Sequence, residues 1–265
     1  MYSKTLVVLP EFGWLSMFEL LDLKSVVKKI VPRTIYAPIL AWWRPLKAAR
    51  WRHLRRLTPV SRVFGLDRGQ SIDRYYIERF LQKHTADICG CVLEIGNSTY
   101  IRQFGCQQVT CSEVLHVTPG NPAATVIGNF ETGEGIPQER FDCVILTQTL
   151  PFIYDIKAAM ANIYAALRPG GVVLATLCGI SQISRYDMER WGDYWRFTSL
   201  STRRLFEEVF PPANVTVEAY GNVLAATALL YGLASHELRT QELDFRDPDY
   251  EVSITVRAVK PRGIT

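Results

Sequence analysis

Two stretches of the 265-residue sequence concentrate residue types that can do chemistry. The first is VLEIGNSTYIRQFG, Val92 to Gly105, where an apolar run ends in Glu94 and Gly96. A carboxylate and a glycine two residues apart at a strand end suit a turn that a nucleotide-like ligand approaches closely. Ser98 and Tyr100 stand where a diphosphate-binding loop would carry further glycines. The second is SRYDMERWGDYWRFT, from Ser184, which interleaves Tyr186, Trp191, Tyr194 and Trp195 with Asp187, Asp193 and arginines. Aromatic faces flanked by carboxylates and arginines suit a sugar ring or an anionic glycan. The same residues can equally form a rigid polar lid anchored by Trp191 and Trp195.

Elements that would position these stretches are legible around them. A helix is predicted from Ile72, with Tyr76, Ile77, Phe80 and Leu81 on one face. CVLEIG, QVTCSEVLHV, ATVIGNF, RFDCVILTQTL and VVLATLC read as five strands in sequence. The unbroken Val144-Ile145-Leu146 implies a strand covered on both faces. In DIKAAMANIYAALRPGG, Asp155 can cap a helix whose apolar residues recur at helical spacing, and Pro169-Gly170-Gly171 ends it. Thr198 can start the helix SLSTRRLFEEVF. NVTVEAY and YEVSITVRAVK read as two more strands, with GNVLAATALLYGLA a buried helix between them. Strand–helix alternation implies an α/β fold with a mainly parallel sheet covered on both faces.

The composition, 48% hydrophobic and 21% charged, is that of an ordinary globular protein, and the net charge of +4 is too small to imply nucleic acid. The charge is uneven. Up to Arg68 there are thirteen Lys and Arg against four Asp and Glu, a local net of +9, with Trp42, Trp43 and Trp51 among them. Residues 1–70 therefore read as a basic, aromatic helical extension or cap, and 71–265 as the main domain. The extension suits a solvated cap over the cleft, or contact with an anionic membrane surface; nucleic acid ranks third because no recognition module accompanies it. MYSKTLVVLPEFG is broken by Pro10 and Glu11, so no signal peptide and a cytoplasmic location are expected. Six cysteines without a C-x-x-C pair read as reduced core thiols rather than a zinc or disulfide framework. No metal site is expected: His53, His84 and His236 have no carboxylate cluster at metal-ligand spacing.

The order of pieces resembles the class I S-adenosylmethionine-dependent methyltransferases. VLEIG resembles their first motif, FDCVILTQTLPFI their fourth strand, and ALRPGGVVLAT their turn into the fifth strand. The stretches GLDRGQSIDRYYIERFL, VLEIGNSTYIRQFG and RYDMERWGDYWRFT are similar to bacterial methyltransferases encoded beside glycosyltransferases. The resemblance implies a Rossmann-like α/β fold, with a mainly parallel seven-stranded sheet and helices on both faces, and S-adenosyl-L-methionine as cofactor; the irregular first motif agrees. A diphosphate needs several glycines so that backbone N–H groups can crowd around it, whereas a sulfonium cofactor has no phosphate. It needs one close approach, at Gly96, and polar neighbours such as Asn97 and Ser98 for its amino-acid portion.

By the same resemblance, Glu113 is expected to accept from the ribose hydroxyls. Asn129, standing for a common Asp, would meet the adenine amino group while keeping a carbonyl acceptor. Phe130 would pack on the adenine face, and Gln148 and Thr149 would lie beneath the methionine moiety. A base for an oxygen or nitrogen acceptor would come from Asp187, Asp193 or His116. The expected activity is methylation, on oxygen, of a small-molecule or glycan acceptor, as in glycan or secondary-metabolite biosynthesis. Two rivals stand beside it: a methyltransferase-like scaffold without turnover, and a nicotinamide-dependent oxidoreductase, disfavoured because one fingerprint glycine remains.

Overall fold

The computed structural model describes residues 55–105 and 107–262. The basic, tryptophan-bearing stretch up to residue 54 lies outside them. Contacts divide the chain between Arg56 and Leu57, and the unit from Leu57 to Thr265 carries the fold. Residues 57–70, read from sequence as extension, belong to this unit: the Val60 N–H donates to Tyr231 O, and Gln182 Nε2 donates to Arg62 O.

In chain order the elements are α1 (Ile72–Lys83), β1 (Gly90–Ile95), α2 (Thr99–Phe104), β2 (Val109–His116), β3 (Val126–Ile127), β4 (Phe141–Thr147) and α3 (Ile156–Ala166). There follow β5 (Leu167–Cys178), α4 (Arg185–Met188), α5 (Ser199–Glu207), β6 (Val215–Tyr220), α6 (Val223–Tyr231), α7 (Thr240–Asp244) and β7 (Ser253–Val259). The seven strands form one sheet in the order β3-β2-β1-β4-β5-β7-β6. The first five pair in parallel, while β7 runs antiparallel to both β5 and β6.

Successive residues of β1 and β4 supply opposite faces, as the strand repeat of two requires. Leu93, Val144 and Leu146 pack with Met160 and Ile163 of α3 and Phe206 of α5. Val92, Cys143 and Ile145 pack with Ile77, Phe80 and Leu81 of α1. This two-sided cover explains the unbroken apolar run in β4. Asp155 caps α3 by accepting the Ala158 N–H at 3.0 Å, and Thr198 caps α5 with Ser201 reciprocating.

Two elements differ from the sequence reading. The ATVIGNF strand shrinks to two residues because Asn129 turns out of the sheet, its N–H donating to Glu134 O. Helix α6 is not buried all round: Ala225, Ala226, Ala228 and Leu229 face inward, while Val223, Leu224 and Leu230 face solvent. No described helix is long and apolar enough to cross a membrane.

The strand order reverses between β1 and β4, so the connections leaving their carboxyl ends diverge and open a crevice there. Both stretches singled out in the sequence contribute to it.

Candidate functional site

Two cavities occupy that crevice and share Ile95, Thr147, Gln148, Phe152 and Asp187 as walls. The larger, about 440 Å³, is bounded by Glu94, Asn97 and Tyr100 after β1, by Asp73 and Arg74 of α1, and by Asp193 and Arg196. The smaller, about 270 Å³, is bounded by Gly96, His116, Asn129, Phe130 and Trp191.

The turn after β1 is held from within. Glu94 is buried, and its two carboxylate oxygens accept the N–H groups of Tyr100 (3.0 Å) and Ile101 (2.9 Å). Burial pushes its carboxyl above the usual range, against the pull of these two donors. Gly96 has φ +80°, and a Cβ there would meet no atom within 4 Å. The Asn97 amide oxygen accepts the Thr99 N–H, which closes the turn into α2. Ser98 lines neither cavity. Its hydroxyl accepts from Arg102 along α2, so the expected contact with an amino-acid portion has no support in its position.

At the end of β4, Gln148 takes φ +48°, which a side-chain-bearing residue rarely adopts. Its N–H donates to Thr176 O at 2.8 Å, while its side-chain Nε2 is enclosed without a hydrogen-bond partner. An enclosed donor left unmet at a cavity wall points to a ligand acceptor.

At the end of β2 the structure corrects the sequence reading. Glu113 pairs with Leu93 inside the sheet, three residues before the strand ends at His116, and lines neither cavity. Its carboxylate is paired with Arg140 at 2.5 Å. The Thr125 hydroxyl and the Arg140 guanidinium hold its carboxyl below the usual range, outweighing partial burial. His116 occupies the strand end instead. It lines the smaller cavity, its ring edge-on to Trp191 at 5.5 Å between centroids, with Nδ1 2.7 Å from Thr118 O.

Asn129 and Phe130 both line the smaller cavity. The Asn129 amide oxygen accepts the Glu131 N–H at 2.8 Å, so one of its lone pairs is already used locally. Phe130 is 3% exposed and doubles as core and cavity wall. Thr149 also lines this cavity, with its hydroxyl donating to Thr147 O.

The segment between β5 and α5 forms a tied-down lid. Asp193 accepts the Ser184 N–H at 2.9 Å and is paired with Arg196, which also donates to Gln182 O. Burial opposes ionisation of Asp193, yet Arg196 and the Ser184 N–H together hold its carboxyl below the usual range. The Tyr194 N–H donates to Pro151 O and the Trp195 Nε1–H to Ile153 O, which fastens the lid to the β4–α3 connection. Of the aromatic residues in this stretch, Trp191 reaches a cavity; Tyr186, Tyr194 and Trp195 line neither. Asp187 lines both cavities and accepts from the Ser184 hydroxyl at 2.5 Å.

The crevice thus offers an open approach at Gly96, an apolar wall at Phe130, an unmet donor on Gln148 and an unmet acceptor on Asp73. These fit a ligand with an adenosine-like end and a polar, charged end. Asp73 and Arg74 were not singled out from sequence, because on a helix with one clear apolar face the opposite face reads as solvated. The run DRYYIER within the stretch that carried the resemblance was the available signal.

Residues 71–214 match the family described as a methyltransferase domain. No curated protein matches the sequence. Among solved structures the chain is similar to an S-adenosylmethionine-dependent methyltransferase from Archaeoglobus fulgidus, with 11% identity, 71% of this chain and 94% of that one covered, and a TM-score of 0.46. It is similar to one from Mesorhizobium loti, with 14% identity, 72% and 98% covered, and a TM-score of 0.45. A third is 1,6-didemethyltoxoflavin-N1-methyltransferase from Burkholderia thailandensis, with 16% identity, 74% and 81% covered, and a TM-score of 0.46.

Proposed function

Since this chain belongs to the methyltransferase-domain family and is an S-adenosylmethionine-dependent methyltransferase, we propose that its acceptor is a polar small molecule or glycan, methylated on oxygen. The observation that carries this reading is the unmet Nε2 donor of Gln148, on the wall that both cavities share. An acceptor hydroxyl can take a hydrogen bond from that amide and still offer its own proton to Asp187 on the same shared wall. An amine acceptor ready for attack carries its lone pair toward the methyl group and gains nothing from a second donor. The volume of about 440 Å³ and walls of mixed charge suit a hydroxylated molecule of modest size.

The cofactor supplies an electrophilic methyl carbon on a sulfonium. The protein's part is to place the acceptor oxygen in line with it, to remove the hydroxyl proton, and to keep water out. Gln148 orients the oxygen. Asp187 takes the proton; of the three candidate bases it alone lines both cavities, whereas Asp193 is spent on Arg196 and His116 lines only the smaller one. Phe152 and Trp191 exclude water. Among the residues that would hold the cofactor, Gly96 would leave room for a close approach, Phe130 would meet the adenine and Asn97 the amino-acid end. Location at the inner face of a membrane, with a lipid-linked glycan as acceptor, goes with the basic charge of the first 68 residues.

A screen with methyl-labelled S-adenosylmethionine against nucleotide-sugars, lipid-linked glycans and small polar metabolites tests the proposal. Label recovered as an alkali-stable methyl ether on a hydroxylated product, lost in Gln148→Leu, is the expected result. Label found solely on nitrogen or carbon overturns the assignment of the acceptor atom.

A further inference from the structure

Away from the crevice, β1 and β2 bring two thiols and a carboxylate to one spot. Cys91 of β1 pairs in register with Cys111 of β2. Glu113 lies two residues further along β2, which returns its side chain to the face of Cys111. Among the described residues, Cys91, Cys111 and Glu113 offer ligand atoms that all lie within 4.8 Å of one another. None of the three lines either cavity of the crevice, so methyl transfer leaves them without a role. In sequence these cysteines read as core thiols; strand register is what assembles them.

The distances suit a tetrahedral, thiophilic ion. A zinc-type cation holds sulfur at ~2.3 Å and carboxylate oxygen at ~2.0 Å, so tetrahedral angles put sulfur and oxygen roughly 3.5 Å apart. Cys111 Sγ stands 3.4 Å from Glu113 Oε1. The charges match as well. Two thiolates and a carboxylate bring −3, and Arg140, paired with Glu113 at 2.5 Å, returns +1, so a divalent cation leaves the group neutral. Burial, and then the adjoining Cys111 thiol, push the Cys91 thiol above the ordinary range. That sulfur therefore gives up its proton to a metal rather than to solvent. Cys91 is buried, whereas Cys111 and Glu113 are half-buried, which leaves a solvent side for entry and for water as a fourth ligand.

We propose that Cys91, Cys111 and Glu113 form a site for one thiophilic divalent cation of the zinc type, with Arg140 balancing its charge. The ion ties β1 to β2 behind the turn that begins at Glu94, and it takes no part in methyl transfer. Each thiol loses its proton to solvent as its sulfur–metal bond forms, so two protons leave per ion bound. The site is independent of both the methyl donor and the acceptor.

Titration of Co²⁺ into the reduced, metal-free full chain tests this, because thiolate ligands give cobalt a sulfur-to-metal charge-transfer band that carboxylates lack. The expected result is that band at one ion per chain, abolished by competing Zn²⁺. Calorimetry with Zn²⁺ in buffers of different ionisation enthalpy should read close to two protons released. Cys111→Ser should lose most of the band and weaken Zn²⁺ by roughly a hundredfold or more. Glu113→Gln should keep the band and weaken Zn²⁺ by roughly tenfold. Zn²⁺ should raise the melting temperature of wild type and leave that of Cys111→Ser unmoved. Absence of the charge-transfer band in wild type overturns the site, and so does a band and Zn²⁺ affinity that survive Cys111→Ser intact. If Cys111→Ser does not fold, Glu113→Gln decides, and unchanged Zn²⁺ affinity there overturns the site.

Discussion

Glu94 reaches across the turn after β1 and accepts the Tyr100 N–H at 3.0 Å, with its second oxygen on the Ile101 N–H. That pairing explains how a first motif lacking later glycines still makes a defined turn. The acid gathers the first free N–H groups of α2, so the backbone there is fixed by a side chain. Tyr100, standing where a glycine would be expected, turns its ring into the core and stacks on Phe104 at 6.1 Å.

Glu94→Gln leaves one of the two N–H groups without a carboxylate oxygen. Stability should fall by about 1–3 kcal/mol in urea denaturation, and S-adenosylhomocysteine should bind more weakly. Because burial raises the Glu94 carboxyl above its ordinary 4.5, its contribution is full below that value and declines as pH rises through the folded pKa. The deficit of the variant should therefore be larger at acid pH than at neutral pH. A deficit that grows with rising pH contradicts this.

Gly96→Ala should fold, with a loss of roughly 1–2 kcal/mol for a side-chain-bearing residue in the left-handed region, since its Cβ meets no atom. Gly96→Trp should melt close to Gly96→Ala and, unlike it, lose cofactor binding, because the indole would enter the smaller cavity. Undiminished calorimetric titration of the Trp variant would show that the cofactor lies elsewhere.

Asp187→Asn should lower kcat by roughly 10²–10⁴ while leaving the affinity for S-adenosylhomocysteine unchanged, because Asn still accepts from the Ser184 hydroxyl. Single-turnover rates read the effect directly. A variant as fast as the parent removes Asp187 from the mechanism.

Asp193, with its folded pKa held below the ordinary 3.8, stabilises the lid above that value and loses this contribution as pH falls through the folded pKa. In urea midpoints measured from pH 7 down to pH 3, the advantage of wild type over Asp193→Asn should shrink at the acid end. An advantage that is flat with pH would mean that the ion pair with Arg196 does not hold the lid.

Glu113→Gln should leave S-adenosylhomocysteine binding within twofold, with a stability change of about 1 kcal/mol or less for loss of a partly exposed ion pair. A tenfold loss of affinity would restore the ribose role that its place in the sheet argues against.

Most of the sheet was legible because its signals are local. The Val144-Ile145-Leu146 run, the Asp155 cap and the Thr198 cap each state their element within a few residues, and the structure has all three. Gly96 and Gln148 could be placed at the crevice from sequence because each directly follows an apolar strand, and both line a cavity there. The site was less legible where register decides. Glu113 and His116 are three residues apart, and only pairing with β1 shows which of them reaches the strand end. Asp73 shows a further limit: its unmet oxygen arises from what surrounds α1 in space, and no spacing along the sequence encodes that.

Both polar groups flanking Gly96 in the chain direction are committed to the protein: its N–H donates to Leu115 O, and its carbonyl accepts from Asn121 Nδ2 at 2.7 Å. Its N–H is spent, so a guest at the glycine meets at most the second lone pair of the carbonyl oxygen. With no side chain at that point, girth is the first thing the turn would test in a guest. Discrimination between the methylated donor and its demethylated product has to arise at other walls, and swelling the donor at its centre should be punished more than repainting its charge.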